Sequence, residues 1–259
     1  MKDGKVKKSF YSYKIKTIVM SLIFITNIFL IPVKTFAQSD TVVVAVFKVG
    51  KVSYIRDGKE KSIKVNTIFN KNDIIKTEKG IVHIQIGPTA ILKVSNYSEV
   101  KLSNLYEIGD ERQIALELQK GRIYSKIVKK MDNKSSFKIR TPTVVAGVRG
   151  TEFMVSEDTE EAQKDDEDKD VPTGVFVNEG AVAVESSENS DKPFSATIEE
   201  GNQMVSTKSG DIKQQILDGF IKKKMEIFKH LNVMKEKNYE LLKKQKEKNK
   251  ELMEKIKNR

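Results

Sequence analysis

The stretch TPTVVAGVRGTEFMV, Thr141 to Val155, sets a lone arginine between two glycines inside an otherwise apolar, β-favouring run. Valine, threonine and phenylalanine suit a pleated, half-buried surface, and Pro142 with the two glycines punctuates it. The run therefore reads as strand, corner, strand. A phosphate-cradling loop needs G-x-x-x-x-G-K-[ST] between a strand and a helix, and Gly147-Val148-Arg149-Gly150-Thr151 has neither the length nor the lysine. A nucleic-acid-clamping GXXG loop needs helical flanks, whereas residues 137–141 and 153–155 read as extended. Two readings are left. In one, Gly147 and Gly150 supply positive φ or close backbone approach while Arg149 bonds carbonyls or Glu152 within the domain. In the other, Arg149 is an exposed recognition residue offering its fork of donors to a partner. The first explains the corner without a ligand.

Working outward, residues 41–207 carry β-type runs separated by turn residues, as expected of an all-β domain. VVVAVFKVGKVSYIRDG (42–58) gives two strands ending at Asp57-Gly58, a pair suited to a tight hairpin. GIVHIQIGPTAILKV (80–94) alternates, with Val82, Ile84 and Ile86 on one face and His83 and Gln85 on the other. QIALELQKGRIYSKI (113–127) is expected to turn at Lys120-Gly121, GVFVNEGAVAV (174–184) at Glu179-Gly180, and ATIEEGNQMVST (196–207) at Glu200-Gly201. No strict period joins these units, so a sandwich or an irregular stack of short strands is expected rather than a propeller or solenoid. Residues 156–174, SEDTEEAQKDDEDKDVPTG, are polar enough to predict a mobile acidic loop.

The glycine-bracketed arginine belongs to a longer pattern. FKIRTPTVVAGVRGTEFMV (137–155) closely resembles the signature segment of FecR-type domains, in which a strand runs into T-P-x-x-x-x-G-V-R-G-T-x-F-x-V. The flanking runs agree in order, so the resemblance covers about residues 41–207. It implies a mainly β, single FecR-like domain of the bacterial cell envelope that binds proteins rather than catalyses. It also marks Thr141, Pro142, Gly147, Arg149, Gly150, Thr151 and Phe153 as motif residues, structural or partner-binding. The family's namesakes are membrane-spanning regulators of iron uptake with a cytoplasmic anti-sigma segment and a periplasmic sensing domain. Here 16 residues precede the apolar segment, too few for an anti-sigma domain, so the expected use is as a module in an exported protein.

That apolar segment, TIVMSLIFITNIFLIPV (17–33), follows six lysines and precedes KTFAQ, whose Thr35 and Ala37 stand at the small-residue positions of a cleavage site. Residues 1–37 thus read as a signal peptide, placing the protein in the periplasm or at the cell surface. Retained, the run would be a membrane anchor. Cleavage would remove seven lysines and one aspartate and lower the formal charge from +11 to +5. Most of what remains lies in the tail: residues 211–259 carry 15 Lys or Arg against 8 Asp or Glu.

Residues 208–259 form a second segment, rich in Lys, Glu, Leu and Met and free of proline, that predicts a long basic helix starting near Asp211. Leu217, Phe220, Ile227, Leu231 and Met234 fit a helical stripe. EKNYELLKK (236–244) and EKNKELMEK (247–255) repeat after 11 residues, close to the helix's own period. The tail is suited to packing on the β domain, to self-association, or to anionic envelope polymers. Export separates it from nucleic acid.

The chain has no cysteine, which excludes disulfides, thiolate metal sites and cysteine nucleophiles. Its two histidines, His83 and His230, lie far apart in sequence, and no serine sits in a nucleophile elbow. The acidic run Asp165, Asp166, Glu167, Asp168 and Asp170 fails as a calcium loop. With Asp166 first, Val171 falls where glycine is required and Val177 where the bidentate glutamate belongs. No catalytic residue, metal ligand or cofactor is expected.

Overall fold

The computed structural model describes residues 39–108, 111–128, 135–148, 150–157, 168, 170–187, 193–206, 211–226 and 236–257. The signal segment, Arg149, His230 and most of the acidic run lie outside them.

Three long strands organise the sheet because each serves two sets of neighbours. β2 (Val43–Arg56) and β5 (Ile74–Ile86) pair antiparallel from Val43↔Ile86 to Gly50↔Gly80, shift register, and resume from Val52↔Thr77 to Ile55↔Ile74. β8 (Glu111–Ile127) pairs through its first part with β7 (Glu99–Ile108) and through its last with β6 (Ala90–Val94). The sequence predicts a turn at Lys120-Gly121, but the strand continues and only bends there. Likewise, within residues 42–58 there is one bent strand, Val43–Arg56, not two. A strand that changes partners at a bend carries the chain from one layer into another.

Each layer can be read outward from these bends. The first arm runs β3 (Lys59–Ser62), the end of β2, the start of β5, β7, the start of β8, β9 (Ser136–Arg140), β10 (Val144–Val148), β13 (Ala181–Ser186) and β14 (Ser195–Glu199). The β8–β9 pair is parallel. The second arm runs β4 (Ile68–Phe69), the start of β2, the end of β5, β6, the end of β8, β11 (Glu152–Glu157), β12 (Gly174–Glu179), β15 (Asn202–Ser206) and β16 (Ile212–Ile216). β1 (Ser39–Asp40) pairs with the far end of β7.

From β9 onward the chain spends two strands in one arm and two in the other, crossing near Gly150, Gly180 and Gly201. The Glu179-Gly180 and Glu200-Gly201 turns therefore join strands of opposite arms rather than closing hairpins. Asp57-Gly58, in contrast, is a two-residue hairpin turn between Arg56 and Lys59, with φ of 52° and 72°.

One core lies between the arms. Ile75, Leu116, Phe137 and Val182 enter it from the first, and Ile84, Leu92, Ile123, Phe153 and Val177 from the second. A smaller core sits on the outer face of the second arm, where Tyr124, Met154 and Phe176 meet Val171, Leu217, Ile221 and Met225. β11 is buried along its whole length because both of its faces are covered: Phe153 and Val155 point into the main core and Met154 into the smaller one.

The tail departs from one long helix. It begins as β16, an exposed edge strand on β15, because Asn202 to Ser206 offer it a ladder. Helix α1 (Gly219–Glu226) starts after Asp218, not Asp211. The Asp218 carboxylate accepts from the amide of Phe220 at 2.8 Å, which is an N-cap. Helix α2 (Glu236–Lys257) is a separate element of 22 residues. The acidic segment is also narrower than its composition suggests. Ser156 and Glu157 continue β11, and Val171 is fully buried beneath α1. Among the described residues no helix is long and apolar enough to cross a membrane.

Candidate functional site

The TPT half of the motif is a β-turn. Thr141 N–H donates to the carbonyl of Val144 at 2.8 Å, closing the β9–β10 hairpin around Pro142. Proline at the second position presets φ for such a turn. The Thr141 hydroxyl accepts from the amides of Thr143 and Val144 at 3.1 and 3.0 Å, satisfying donors the turn would otherwise orphan. Two distant residues complete it. Thr143 Oγ1 donates to Glu157 Oε2 at 2.8 Å, and Ser187 Oγ donates to the Pro142 carbonyl at 2.7 Å. Sequence reading missed both, and a separation of 45 residues for Ser187 leaves no local signal of the contact.

The GVRGT half carries the chain from β10 to β11. Gly150 has φ 75°, a left-handed conformation that ordinary side chains avoid. Thr151 is buried and donates to the Ala181 carbonyl at 3.1 Å, tying this crossing to the next one at Gly180. Phe153 follows, with no exposure, in the main core. Gly147 is different: it lies inside β10 without a positive φ, and a Cβ there would come no closer than 3.8 Å to the Ala183 carbonyl. Gly150→Ala should therefore cost about 1–2 kcal/mol, whereas Gly147→Ala should change stability by less than about 0.5 kcal/mol or raise it. Urea unfolding of the two variants checks the contrast.

Arg149 lies outside the described residues. Glu152, which the sequence offers it as a partner alongside backbone carbonyls, is buried, accepts from Asn178 Nδ2 at 3.0 Å, and stands 3.6 Å from Lys126 Nζ. The corner thus brings Thr141, Pro142, Gly150, Thr151 and Phe153 into turn, crossing and core.

Several buried charges elsewhere among the described residues are paired. Arg56 forms a two-pronged bond to Asp73 at 2.9 and 2.6 Å, and Asp73 also accepts from the amide of Asn70. Glu107 lies between Arg112 at 3.4 Å and Lys243 of α2 at 2.8 Å. Asp168, from the acidic run, pairs with Lys224 of α1. Among the described residues no group of three His, Asp or Glu has metal-binding geometry.

His83 lies opposite Lys93 in the β5–β6 ladder and packs its ring 4.8 Å from that of Phe47. Burial, reinforced by the Lys93 charge, lowers its imidazole from 6.5 to about 4. Between those values the unfolded chain takes up a proton that the folded one refuses, so stability falls as pH is lowered from about 6.5 to about 4. His83→Gln should flatten that limb by roughly 1 kcal/mol, the full linkage being reduced because solvent reaches part of the ring. Denaturation midpoints at pH 7 and pH 4.5 measure it.

Residues 73–182 match the family model described as FecR protein. No curated protein matches the chain. Two solved structures are similar to it, both described as a "putative anti-sigma factor" from Parabacteroides distasonis ATCC 8503. The first is 16% identical, with a TM-score of 0.43, over 56% of this chain and 60% of that one. The second is 15% identical, with a TM-score of 0.42, over 55% and 58%. The chain thus spans less than two thirds of the length of either. The family match runs from the start of β5 into β13 and takes in the TPT turn and the Gly150 crossing: across residues 73–182 the chain carries a FecR domain.

Proposed function

We propose that the protein is an exported, non-catalytic component of the bacterial envelope, using its FecR domain to bind or scaffold other proteins. One observation supports this reading: the described motif residues with side chains to offer are engaged in building the fold. The Thr141 hydroxyl holds a turn, Thr151 ties two crossings, and Phe153 fills the core. What the domain offers a partner is then its outer surface, including the edge strands β14 and β16. A second reading, a membrane-associated regulatory sensor of the FecR signalling type, is supported by the family match itself.

Fractionating cells and determining the amino terminus separates the two. A soluble envelope protein beginning at Gln38 favours the scaffold, and membrane retention of residues 17–33 favours the sensor. Arg149→Ala that loses in-cell protein cross-links without loss of stability would assign the arginine to recognition. Loss of a cell-wall-degrading activity on substitution of a single carboxylate would replace both readings with a hydrolase.

α2 supplies a contact of its own. Leu241, Leu252 and Ile256 are exposed and fall on one side of the helix at spacings of 11 and 4. This stripe is suited to self-association. Deleting residues 236–259 should lower the number of copies per particle measured by light scattering, and an unchanged number rejects the idea. The lysines of the same helix fit anionic envelope polymers.

A further inference from the structure

The two arms do not end together. The last strand of the first arm, β14, lies against β12 and β15 of the second, and the second arm then carries one strand more, β16. Among the described residues β14 has β13 as its only ladder neighbour and β16 has only β15. Each layer therefore ends in an open edge, and the two edges form a step.

The register tells which side of β16 the step uncovers. Gln214 stands opposite Met204, and Met204 belongs to the main core. Directly opposed residues of an antiparallel pair share a face, as do residues two apart along a strand. Ile212, Gln214 and Ile216 thus point to the core side of the second arm, and Lys213 and Gln215 to its outer side. Yet Ile212 is 39% exposed and Ile216 81%, more than any other large apolar side chain described. The first arm stops one strand short of covering them.

A strand added to the edge of β14 would cover them. On its core side, beside Ala196 and Ile198, it needs apolar residues at even spacing. On its outer side it needs polar and cationic ones, because β14 turns Ser195, Thr197 and Glu199 outward and Glu200 follows. β16 itself has this pattern, with Ile212 and Ile216 on one side and Lys213 on the other. A second copy also fits the step by shape. Turned about a two-fold axis that runs along the strands midway between the layers, the longer layer of one copy continues the shorter layer of the other. Such a contact uses the same patch on both copies and closes, and it removes both open edges at once.

We propose that two copies of the chain join in this way, β16 of each adding to β14 of the other. Ile212 and Ile216 of both copies then form one apolar seam, the Gln214 amides bond each other across the axis, and Lys213 of each copy reaches Glu199 of the other. The inference rests on the reading of β14 and β16 as a contact surface and names its occupant. It uses no residue of α2.

The chain has no cysteine, so a single introduced thiol reports on the contact in the full mature protein. Near a two-fold axis a residue meets its own counterpart, and oxidation of Ile216→Cys should link most of the protein into covalent dimers. Lys61→Cys, on β3 at the other end of the first arm, should link little. Ile216→Lys should lower the number of copies per particle and raise the dimer Kd about tenfold or more, since two charges would enter the seam. Lys213→Glu and Glu199→Lys should each raise it a few-fold, and both changes in one chain should restore it. The proposal is overturned if the unaltered chain shows no change in copy number on dilution and stays a single copy, if Ile216→Cys links no better than Lys61→Cys, or if the double exchange dimerises no better than either single one. The dilution series uses the unaltered protein, so it decides the matter even where a variant fails to fold. A single-copy protein that still forms in-cell cross-links to other envelope proteins would overturn the dimer and leave the scaffold reading standing, whereas a dimer without such cross-links would do the reverse.

Discussion

Gly121→Ala should destabilise the protein by about 4 kcal/mol. The residue holds φ 87° in the middle of β8, and a Cβ there would stand 2.2 Å from Ser98 Oγ and 2.5 Å from Ser98 Cα. Left-handed backbone costs a non-glycine residue about 1–2 kcal/mol, and forcing an atom into packed surroundings adds about 1–3 kcal/mol. Relaxation is limited because Ser98 is itself fixed: its hydroxyl accepts from the Arg122 amide at 2.9 Å, and its amide donates to Thr77 Oγ1 at 2.8 Å. For a domain of this size the loss corresponds to a fall in melting temperature of roughly 10 °C. Gly201→Ala is the control. It shares the conformation, at φ 73°, but a Cβ there meets nothing within 4 Å, so only the conformational cost of about 1–2 kcal/mol is expected. Equal losses in the two variants would show that β8 is not pinned where it changes partners.

That contrast also marks how far the sequence was legible. Alternation in residues 80–94 predicted which side chains enter the core, and Val82, Ile84 and Ile86 do so. The Asp57-Gly58 hairpin was readable because a two-residue turn is a local event. Lys120-Gly121, Glu179-Gly180 and Glu200-Gly201 look the same in sequence. Whether a glycine reverses a strand, bends it or sends it to the opposite layer depends on which strands lie beside it. Those pairings join residues far apart: β8 takes β6 on one side and β11 on the other.

The tail departs from its sequence expectation for the same reason. Residues 212–216, IKQQI, have no strong strand signature of their own and become a strand because β15 leaves an open ladder. At the motif corner, Pro142 and the glycines announced a break in regular structure, and Gly150 supplies it. Gly147 carried the same letter without the same need.

Cutting the chain after Gly210 should abolish stable folding, although composition draws a domain boundary close to that point. The cut removes β16 and with it Leu217, Ile221 and Met225, which are 7%, 3% and 1% exposed. Each such side chain contributes about 1.5–3 kcal/mol on full burial, so roughly 5–8 kcal/mol goes with them. That is comparable to the whole stability of an ordinary domain, about 5–15 kcal/mol. The loss is compounded because Tyr124, Met154, Val171 and Phe176 would then face water. Deleting only residues 236–259 is a different experiment. The smaller core keeps its cover, and Glu107 loses Lys243 but retains Arg112 at 3.4 Å, so the cost should stay near 2 kcal/mol. Denaturant unfolding with a dye that reports exposed apolar surface distinguishes the two truncations. If the fragment ending at Gly210 unfolds at the same denaturant concentration as the full chain and binds no more dye, then α1 does not cover the second arm, and the tail is the separable appendage its composition suggests.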